Sequence, residues 1–569
     1  MIMKNLLVVL SLILSMGAFA QKKSLPHLNK ENGKTSLIVD GKPFLMFAGE
    51  LHNSSTGSAY QMRPIWEHLK GKNLNTVLAP VSWEMIEPGE GDFNFSVVDS
   101  MIAGARKENL KLIILWFGSW KNGKSTYVPG WVKKDQERFP LMKTKSGRTL
   151  NTLSPFNDNA LKADKKAFSE LMKHIKKVDG KEHTVIMMQV QNEVGVLGPP
   201  RDYSELANEA FQGDVPQELL DYLDKNSDKL HPALKKAWEK NGFKKQGSWE
   251  EVFGKGEKYR GEEWKTNYGF YTEELFMAWH IAKYIGEVSY SGRDEYNLPM
   301  FANAWIKQPR ATNPGRYPSG GPLPHVVDVW RAAAPSIDFL ASDIYAVEEF
   351  DWVCQEYALA GNPTFIPETT PDVGGYASVL YAFGKYDALC YAPFGIDGNG
   401  LFNTADQQDQ TLTKVYQCLQ NIQPYIHENR GTEKMTGLFL DKEDSNTSVV
   451  MGDYTIYLSR FSSAGLFEKT GGRFGIEGEK DRTPAGVIVI QLAKDEFLIA
   501  GGVGGLQVAL NVSEANDSYS CNYLSVDELF FAENGEIHPH RLNGDEIALG
   551  GPIIRPGEVK VFKIKMYSY

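Results

Sequence analysis

Cysteine is scarce in this chain. There are four in 569 residues, Cys354, Cys390, Cys418 and Cys521, too few and too scattered for a disulfide scaffold. No pair has zinc-site spacing, and Cys390 sits in an apolar run that reads as a buried strand. The thiols are expected to be mostly free and packed, with one disulfide left open for an oxidising compartment. A P-loop, an HEXXH helix and a nucleophile-elbow serine are all missing, which removes the nucleotide, zinc-protease and serine-hydrolase readings those motifs carry. The glycine-rich run from Gly501 to Gly505 leads into L-Q-V-A-L-N-V, which alternates as a strand and opens no helix, so it is not a phosphate loop. A net charge of −10 argues against nucleic acid as a partner. No internal repeat stands out.

The apolar stretch at the N-terminus, residues 6–16, is too short to span a membrane. With Lys4 ahead of it and A-F-A before Gln21, residues 1–20 are expected to be a signal peptide cleaved after Ala20. No cysteine lies at that point, so a lipid anchor is not supported. The expected location is outside the cytoplasm, periplasmic or extracellular.

What the chain does have is a pair of apolar runs that stop on carboxylates. Residues 185–195 read V-I-M-M-Q-V-Q-N-E-V-G, with the composition of a strand buried on both faces. The run ends on Gln191, Asn192 and Glu193, polar groups that cost kilocalories each if buried unpaired. Residues 363–368, P-T-F-I-P-E, end on Glu368 in the same way. Two carboxylates on opposite sides of a sugar ring are what glycoside hydrolysis requires: one protonates the leaving oxygen, the other attacks the anomeric carbon or activates water. Structural, salt-bridged glutamates are the alternative for either one; two such strand ends in one barrel weigh against it.

From about 32 to 428, apolar strands alternate with helix-forming stretches. Strands are expected at 43–50, 75–83, 111–118, from 185, and at 299–305, 337–345, 363–368 and 388–397. Helices are expected at about 60–70, 97–109 and 158–177. Eight strands with intervening helices close naturally as a (β/α)₈ TIM barrel, of the α/β class, with its chemistry at the carboxyl ends of the strands. An oversized interval at about 199–273, carrying Trp238, Trp249 and Trp264, leaves from that face; it either builds the cleft or merely covers the barrel. After about 429 the runs shorten and alternate between Gly, Asn and Asp turns, so residues 429–569 are expected to form a smaller antiparallel β-domain.

Several segments together resemble the bacterial β-galactosidases of glycoside hydrolase family 35, in the branch with its own C-terminal β-domain. They are G-E-L-H at Gly49, W-E-M-I-E-P at Trp83 followed by G-D-F-N-F at Gly91, R-D-Y-S-E-L-A at Arg201, Y-P-S-G-G-P at Tyr317, V-W-R-A-A-A-P-S-I-D-F-L at Val329, N-P-T-F-I-P-E-T at Asn362 and P-F-G-I-D at Pro393. The resemblance spans most of the barrel and is weaker beyond it. It implies a retaining mechanism with Glu193 as acid/base and Glu368 as nucleophile. It also implies exo-acting release of terminal β-galactose from oligo- or polysaccharides. No metal or organic cofactor is required by such chemistry. A homo-oligomer is left open.

The supporting residues are read from their places at strand ends. Asn192 is expected to bond the sugar 2-hydroxyl, its rival role being a cap on the following turn. Tyr345 is expected to hold Glu368 ionised and aimed, and Asp343 beside it also marks a polar strand end. Glu50 and Glu87 either grip sugar hydroxyls or pair an arginine such as Arg63. His52 reads as structural. Among Trp83, Trp116, Trp120 and Trp305, the candidates for a stacking platform are Trp120 and Trp305, which have polar or glycine neighbours.

The chain departs from the family at Glu84 and Ile86, at Asn53, and in G-S-W-K-N-G after the third strand where A-E-W is usual. The resemblance implies that these positions face the non-reducing sugar, so they leave the two-glutamate chemistry intact and open the sugar's identity. The same mechanism on an α-L-arabinopyranoside, β-D-fucoside or β-glucuronide is one alternative, and a non-catalytic carbohydrate-binding barrel is another.

Overall fold

The computed structural model describes residues 24–31, 33–256, 271–308, 310–359, 361–398, 406–461, 482–513, 520–548 and 550–569. The expected signal peptide lies outside them, as do 257–270 with Trp264.

Eight parallel strands form the barrel: β1 (Met46–Glu50), β2 (Thr76–Ser82), β3 (Lys111–Lys121), β4 (Val185–Asn192), β5 (Met300–Trp305), β6 (Phe339–Asp343), β7 (Phe365–Thr369) and β8 (Cys390–Pro393). Hydrogen-bonded neighbours run β6-β5-β4-β3-β2-β1-β8-β7. The two ends meet where Ile344 N donates to Glu368 O at 3.0 Å, beside a parallel bridge between Ile344 and Thr369. The sheet therefore closes, as the alternation of strand and helix signals predicted.

Alternation along each strand decides what the barrel contains. Phe301 on β5, Phe339 on β6 and Phe365 on β7 meet inside, with ring centroids 4.6–5.3 Å apart. Two residues on, the same inward rows carry Asn303 and, past Ala341, Asp343. The interior is thus apolar toward the amino ends and polar at the carboxyl ends. Below it, an antiparallel sheet of His27–Glu31, Lys34–Val39 and Lys42–Phe44 contributes Leu37 and Val39 to the same apolar cluster.

Eight helices follow the strands in order: α1 (Ala59–Lys70), α2 (Ser96–Lys107), α3 (Asp158–Asp179), α4 (Thr272–Glu295), α5 (Val327–Ala333), α6 (Phe350–Leu359), α7 (Val373–Lys385) and α8 (Asp406–Asn429). The Asn157 side chain caps α3 by accepting from Asn159 N and Ala160 N. The buried face of α3, Ala160, Asp164, Ala167, Phe168, Leu171, Met172 and Ile175, has helical spacing and lies against α4. Between β4 and α4 the insertion forms the short helices Glu205–Gln212, Gln217–Lys225, Pro232–Lys240 and Trp249–Phe253. Trp238 and Trp249 are buried in its packing.

Past α8 the chain turns to antiparallel sheet, six strands in one layer and four in another. Apolar side chains from both layers, among them Val487, Phe497 and Phe562 on one and Ile456, Leu458 and Val508 on the other, share one core. The opposite face of the six-stranded layer packs on α7. A Cβ on Gly384 of α7 would stand 2.8 Å from Gly437 Cα, so only glycine allows helix and strand this close. All four cysteines are unbridged, and three are buried. No helix among the described residues is long and apolar enough to cross a membrane.

Candidate active site

The carboxyl end of the barrel gathers four carboxyl groups and one ammonium out of water. Glu50 ends β1, Lys121 ends β3, Glu193 follows β4, Asp343 ends β6 and Glu368 is on β7; each is at most 6% exposed. One oxygen from each of Glu193, Asp343 and Glu368 lies within 4.8 Å of the others. No second group of three His, Cys, Asp or Glu side chains comes this close among the described residues. The cation beside these carboxylates is the Lys121 ammonium, 4.0 Å from Glu368 Oε1.

Backbone geometry at the end of β4 is unusual. Gln191 and Glu193 adopt left-handed φ of 65° and 43°, a conformation that costs non-glycine residues free energy and must be held by its surroundings. The holding groups are identifiable. Gln191 Nε2 donates to Asp164 Oδ2 at 2.7 Å, and its Oε1 accepts from Trp120 N at 2.9 Å. Asp164, fully buried on α3, also accepts from the Trp116 indole at 2.8 Å and the Ser119 hydroxyl at 2.7 Å. Glu193 N donates to Asn303 Oδ1 at 3.0 Å, while Asn303 Nδ2 donates to Asp343 Oδ2 at 2.7 Å. Gly195 then passes so near Pro318 that a Cβ would stand 2.5 Å from its carbonyl carbon.

Burial and mutual repulsion shift three of the four carboxyls. Burial, reinforced by the Glu368 charge and opposed by Lys121, raises Glu193 from 4.5 to about 7. Burial and then the charges of Glu368 and Glu193 push Asp343 well above its ordinary range. Burial and Glu368 do the same to Glu50, whose two oxygens find no hydrogen-bond donor among the described residues. Burial alone would pull Lys121 down, but Glu368, Glu193, Glu50 and Asp343 together hold it above its ordinary value.

Two further donors aim Glu368. Tyr345 Oη donates to Glu368 Oε2 at 2.9 Å, and burial together with the Glu368 charge pushes the phenol far up, so it stays a donor. The Lys121 ammonium can only donate, so the Asn192 amide turns its oxygen, not its nitrogen, to accept from Lys121 Nζ at 2.9 Å. Its nitrogen is then 3.2 Å from Glu368 Oε1.

Of the residues singled out from sequence, Glu193, Glu368, Asn192, Tyr345 and Glu50 converge here. Trp305 is half-buried at the end of β5, beside Asp343 in register. Glu87 and Trp120 are engaged elsewhere. Glu87 Oε2 accepts from Trp83 Nε1 at 2.7 Å and Oε1 from Gly91 N at 2.8 Å, which commits the carboxylate to its own loop. Trp120 is 1% exposed, its indole donating to Leu153 O at 3.0 Å and its ring packed 4.5 Å from Tyr284. The expectation of a platform there is corrected: glycine and polar neighbours marked a tight hydrogen-bonded turn, not a cavity edge. His52 is structural as read, pairing with Asp397 at 2.6 Å.

Lys121, Asn303 and Asp164 were not foreseen. The third strand was expected to stop at Gly118 but runs on to Lys121, with its register on β4 slipping between Trp116 and Lys121. Counting two residues at a time from the inward Phe301 would have found Asn303.

Comparison with known proteins follows the same lines. A family model described as β-galactosidase, that of glycoside hydrolase family 42, matches residues 57–287. Over those residues the chain is similar to the β-galactosidases of that family. A domain of unknown function, DUF5597, matches residues 412–553. Beta-galactosidase 11 of Arabidopsis thaliana is 31% identical over 105 residues, 18% of this chain and 12% of that one. A beta-galactosidase of Xanthomonas manihotis is 30% identical over 110 residues, 19% and 18% of the respective chains. The matches thus span under a fifth of these relatives' length. A solved family 42 β-galactosidase from G. stearothermophilus superposes with a TM-score of 0.50 at 12% identity, over 92% of this chain and 98% of that one. At that identity the likeness speaks for the fold alone.

Proposed function

We propose that this chain is an exported, exo-acting retaining glycoside hydrolase that releases terminal β-galactose from oligo- or polysaccharides. Glu193 acts as acid and then base, and Glu368 as nucleophile. The observation that carries the reading is the approach of the Glu193 and Glu368 carboxyl oxygens to within 4.8 Å, with Glu193 raised to about 7. Retention needs carboxyls about 5–5.5 Å apart so that one can bond the anomeric carbon directly, whereas inversion needs about 6.5–9.5 Å to admit a water.

In the first step Glu368 attacks the anomeric carbon as Glu193 protonates the departing oxygen. The ester at Glu368 removes a negative charge beside Glu193, whose pKa then falls, and the ionised Glu193 takes a proton from the water that cleaves the ester. Lys121, Tyr345 and the Asn192 amide surround Glu368 and hold it aimed. Asn192 is assigned the sugar 2-hydroxyl, in keeping with its approach to Glu368 Oε1. The strand-end motifs favour the family 35 branch as the finer assignment within the β-galactosidase-like group.

A second reading concerns the sugar. The third strand ends in G-S-W-K-N-G, which includes Lys121, where family 35 usually has A-E-W, and both oxygens of the buried Glu50 are unsatisfied among the described residues. β-D-fucoside, α-L-arabinopyranoside and β-glucuronide therefore belong in the test. Initial rates on the four p-nitrophenyl glycosides decide the sugar, and proton NMR of the first-formed product decides the stereochemistry. A β-anomeric hemiacetal from the galactoside supports the proposal; an α-anomer means inversion and rejects it.

A further inference from the structure

Asp343 is the one carboxyl of the converging three to which the double displacement gives no role, yet one of its oxygens lies within 4.8 Å of both catalytic glutamates. Its Oδ2 accepts from Asn303 Nδ2 at 2.7 Å, and the same Asn303 side chain accepts the Glu193 backbone N–H at 3.0 Å. Its Oδ1 has no hydrogen-bond donor among the described residues, and the group in reach is the Glu193 carboxyl. Every element packed against it adds to the count of charge. Glu193 faces it from the end of β4, Glu368 from β7 and Glu50 from β1, while Lys121 on β3 is the one cation among the described residues of the cluster. Tyr345 and Tyr357 lie close by as un-ionised phenols. One ammonium balances one carboxylate, and Lys121 with Asn192 and Tyr345 is arranged around Glu368. An ionised Asp343 would be a second buried anion with a bare oxygen pointed at a third, which a low-dielectric site does not tolerate.

We infer that Asp343 is a positioning residue that stays un-ionised through the cycle and donates its O–H to the Glu193 carboxyl. This rests on the hydrolase reading above and deepens it. When Glu193 gives its proton to the leaving oxygen, it becomes a carboxylate that accepts from Asp343; Asp343 keeps its own proton throughout. The hydrogen bond strengthens as charge develops on Glu193, so it favours the proton transfer and limits how far burial raises the acid.

Asparagine is the isosteric test, because it keeps a donor and an acceptor and lacks the charge. The wild type and Asp343→Asn are compared by the pH dependence of kcat/KM on the glycoside the wild type turns over. The expected result is an alkaline limb within about half a pH unit of wild type, with Asp343→Ala losing at least about 100-fold in kcat at unchanged fold. If Asp343 is ionised, Asp343→Asn removes a neighbouring negative charge, and the limb falls by about one unit or more, overturning the inference. Infrared difference spectra at about pH 8 read the same group without substrate. The un-ionised carboxyl band is expected to be weaker in Asp343→Asn than in wild type, and equal bands reject the assignment. A wild type that cleaves no glycoside sinks the hydrolase reading and leaves this second result standing alone. Should Asp343→Asn not fold, Asp343→Ser removes the same charge in both experiments.

Discussion

Lys121 Nζ stands 4.0 Å from Glu368 Oε1, both groups buried, and Glu368, Glu193, Glu50 and Asp343 all act on this one ammonium. Replacing it by methionine keeps the length and apolar stem and leaves Glu368 an uncompensated buried charge, a loss of about 3–5 kcal/mol where such pairs are broken. We expect Lys121→Met to lower kcat/KM by at least about 100-fold. Since Lys121 holds the Glu193 pKa down, its removal also moves the alkaline limb of the surviving activity to higher pH. Steady-state kinetics across pH tests both effects.

Glu193 links activity to stability. Its pKa is about 7 when folded against an ordinary 4.5, so the folded chain binds this proton more tightly than the unfolded chain does. The associated stability is fully present below pH 4.5 and is lost as pH rises through about 7. Glu193→Gln carries no such dependence. Thermal melts are expected to show the variant more stable than wild type at pH 8, with the difference vanishing near pH 4.5; a constant offset across that window would contradict the assignment.

Tyr345 offers a narrower test. Its hydroxyl gives Glu368 a hydrogen bond of 2.9 Å, while the residue is 36% exposed and adds little to the core. Hydrogen bonds to charged groups contribute about 1.5–3 kcal/mol, so Tyr345→Phe should lower kcat about 10- to 150-fold with Tm nearly unchanged. Rates and melts on the same preparation separate this from a folding defect.

The two tryptophans proposed from sequence should now behave differently. Trp120 is a core residue, and truncation to alanine is expected to cost about 3–5 kcal/mol of stability by urea unfolding. Trp305 is half-buried at the mouth, so Trp305→Ala should spare stability and raise KM.

The barrel was legible because each strand is an apolar run bounded by turn signals and each helix carries one apolar face; β2 was expected at 75–83 and is Thr76–Ser82, α2 at 97–109 and is Ser96–Lys107. Glu193, Glu368, Asn192 and Tyr345 were legible because a polar residue ending a buried strand needs a reason. Lys121 was not, because the slip in register between β3 and β4 carries no mark in residue spacing. Nor was Asp164, whose place in the site depends on α3 lying over the end of β4. Glu87 looked equivalent to Glu50 in the sequence. The difference is that Trp83 and Gly91, four residues to either side, close around Glu87, while Glu50 finds no such donors.

The role of Glu368 is tested most directly by azide rescue. Wild type and Glu368→Ala are assayed on p-nitrophenyl β-D-galactoside, each with and without azide. We expect an active wild type and an inactive variant, with activity restored by azide and α-galactosyl azide as the product, since azide enters the space left by the carboxylate. An inactive variant that azide restores only to β-galactosyl azide, or a variant that retains activity on its own, would contradict Glu368 as the nucleophile.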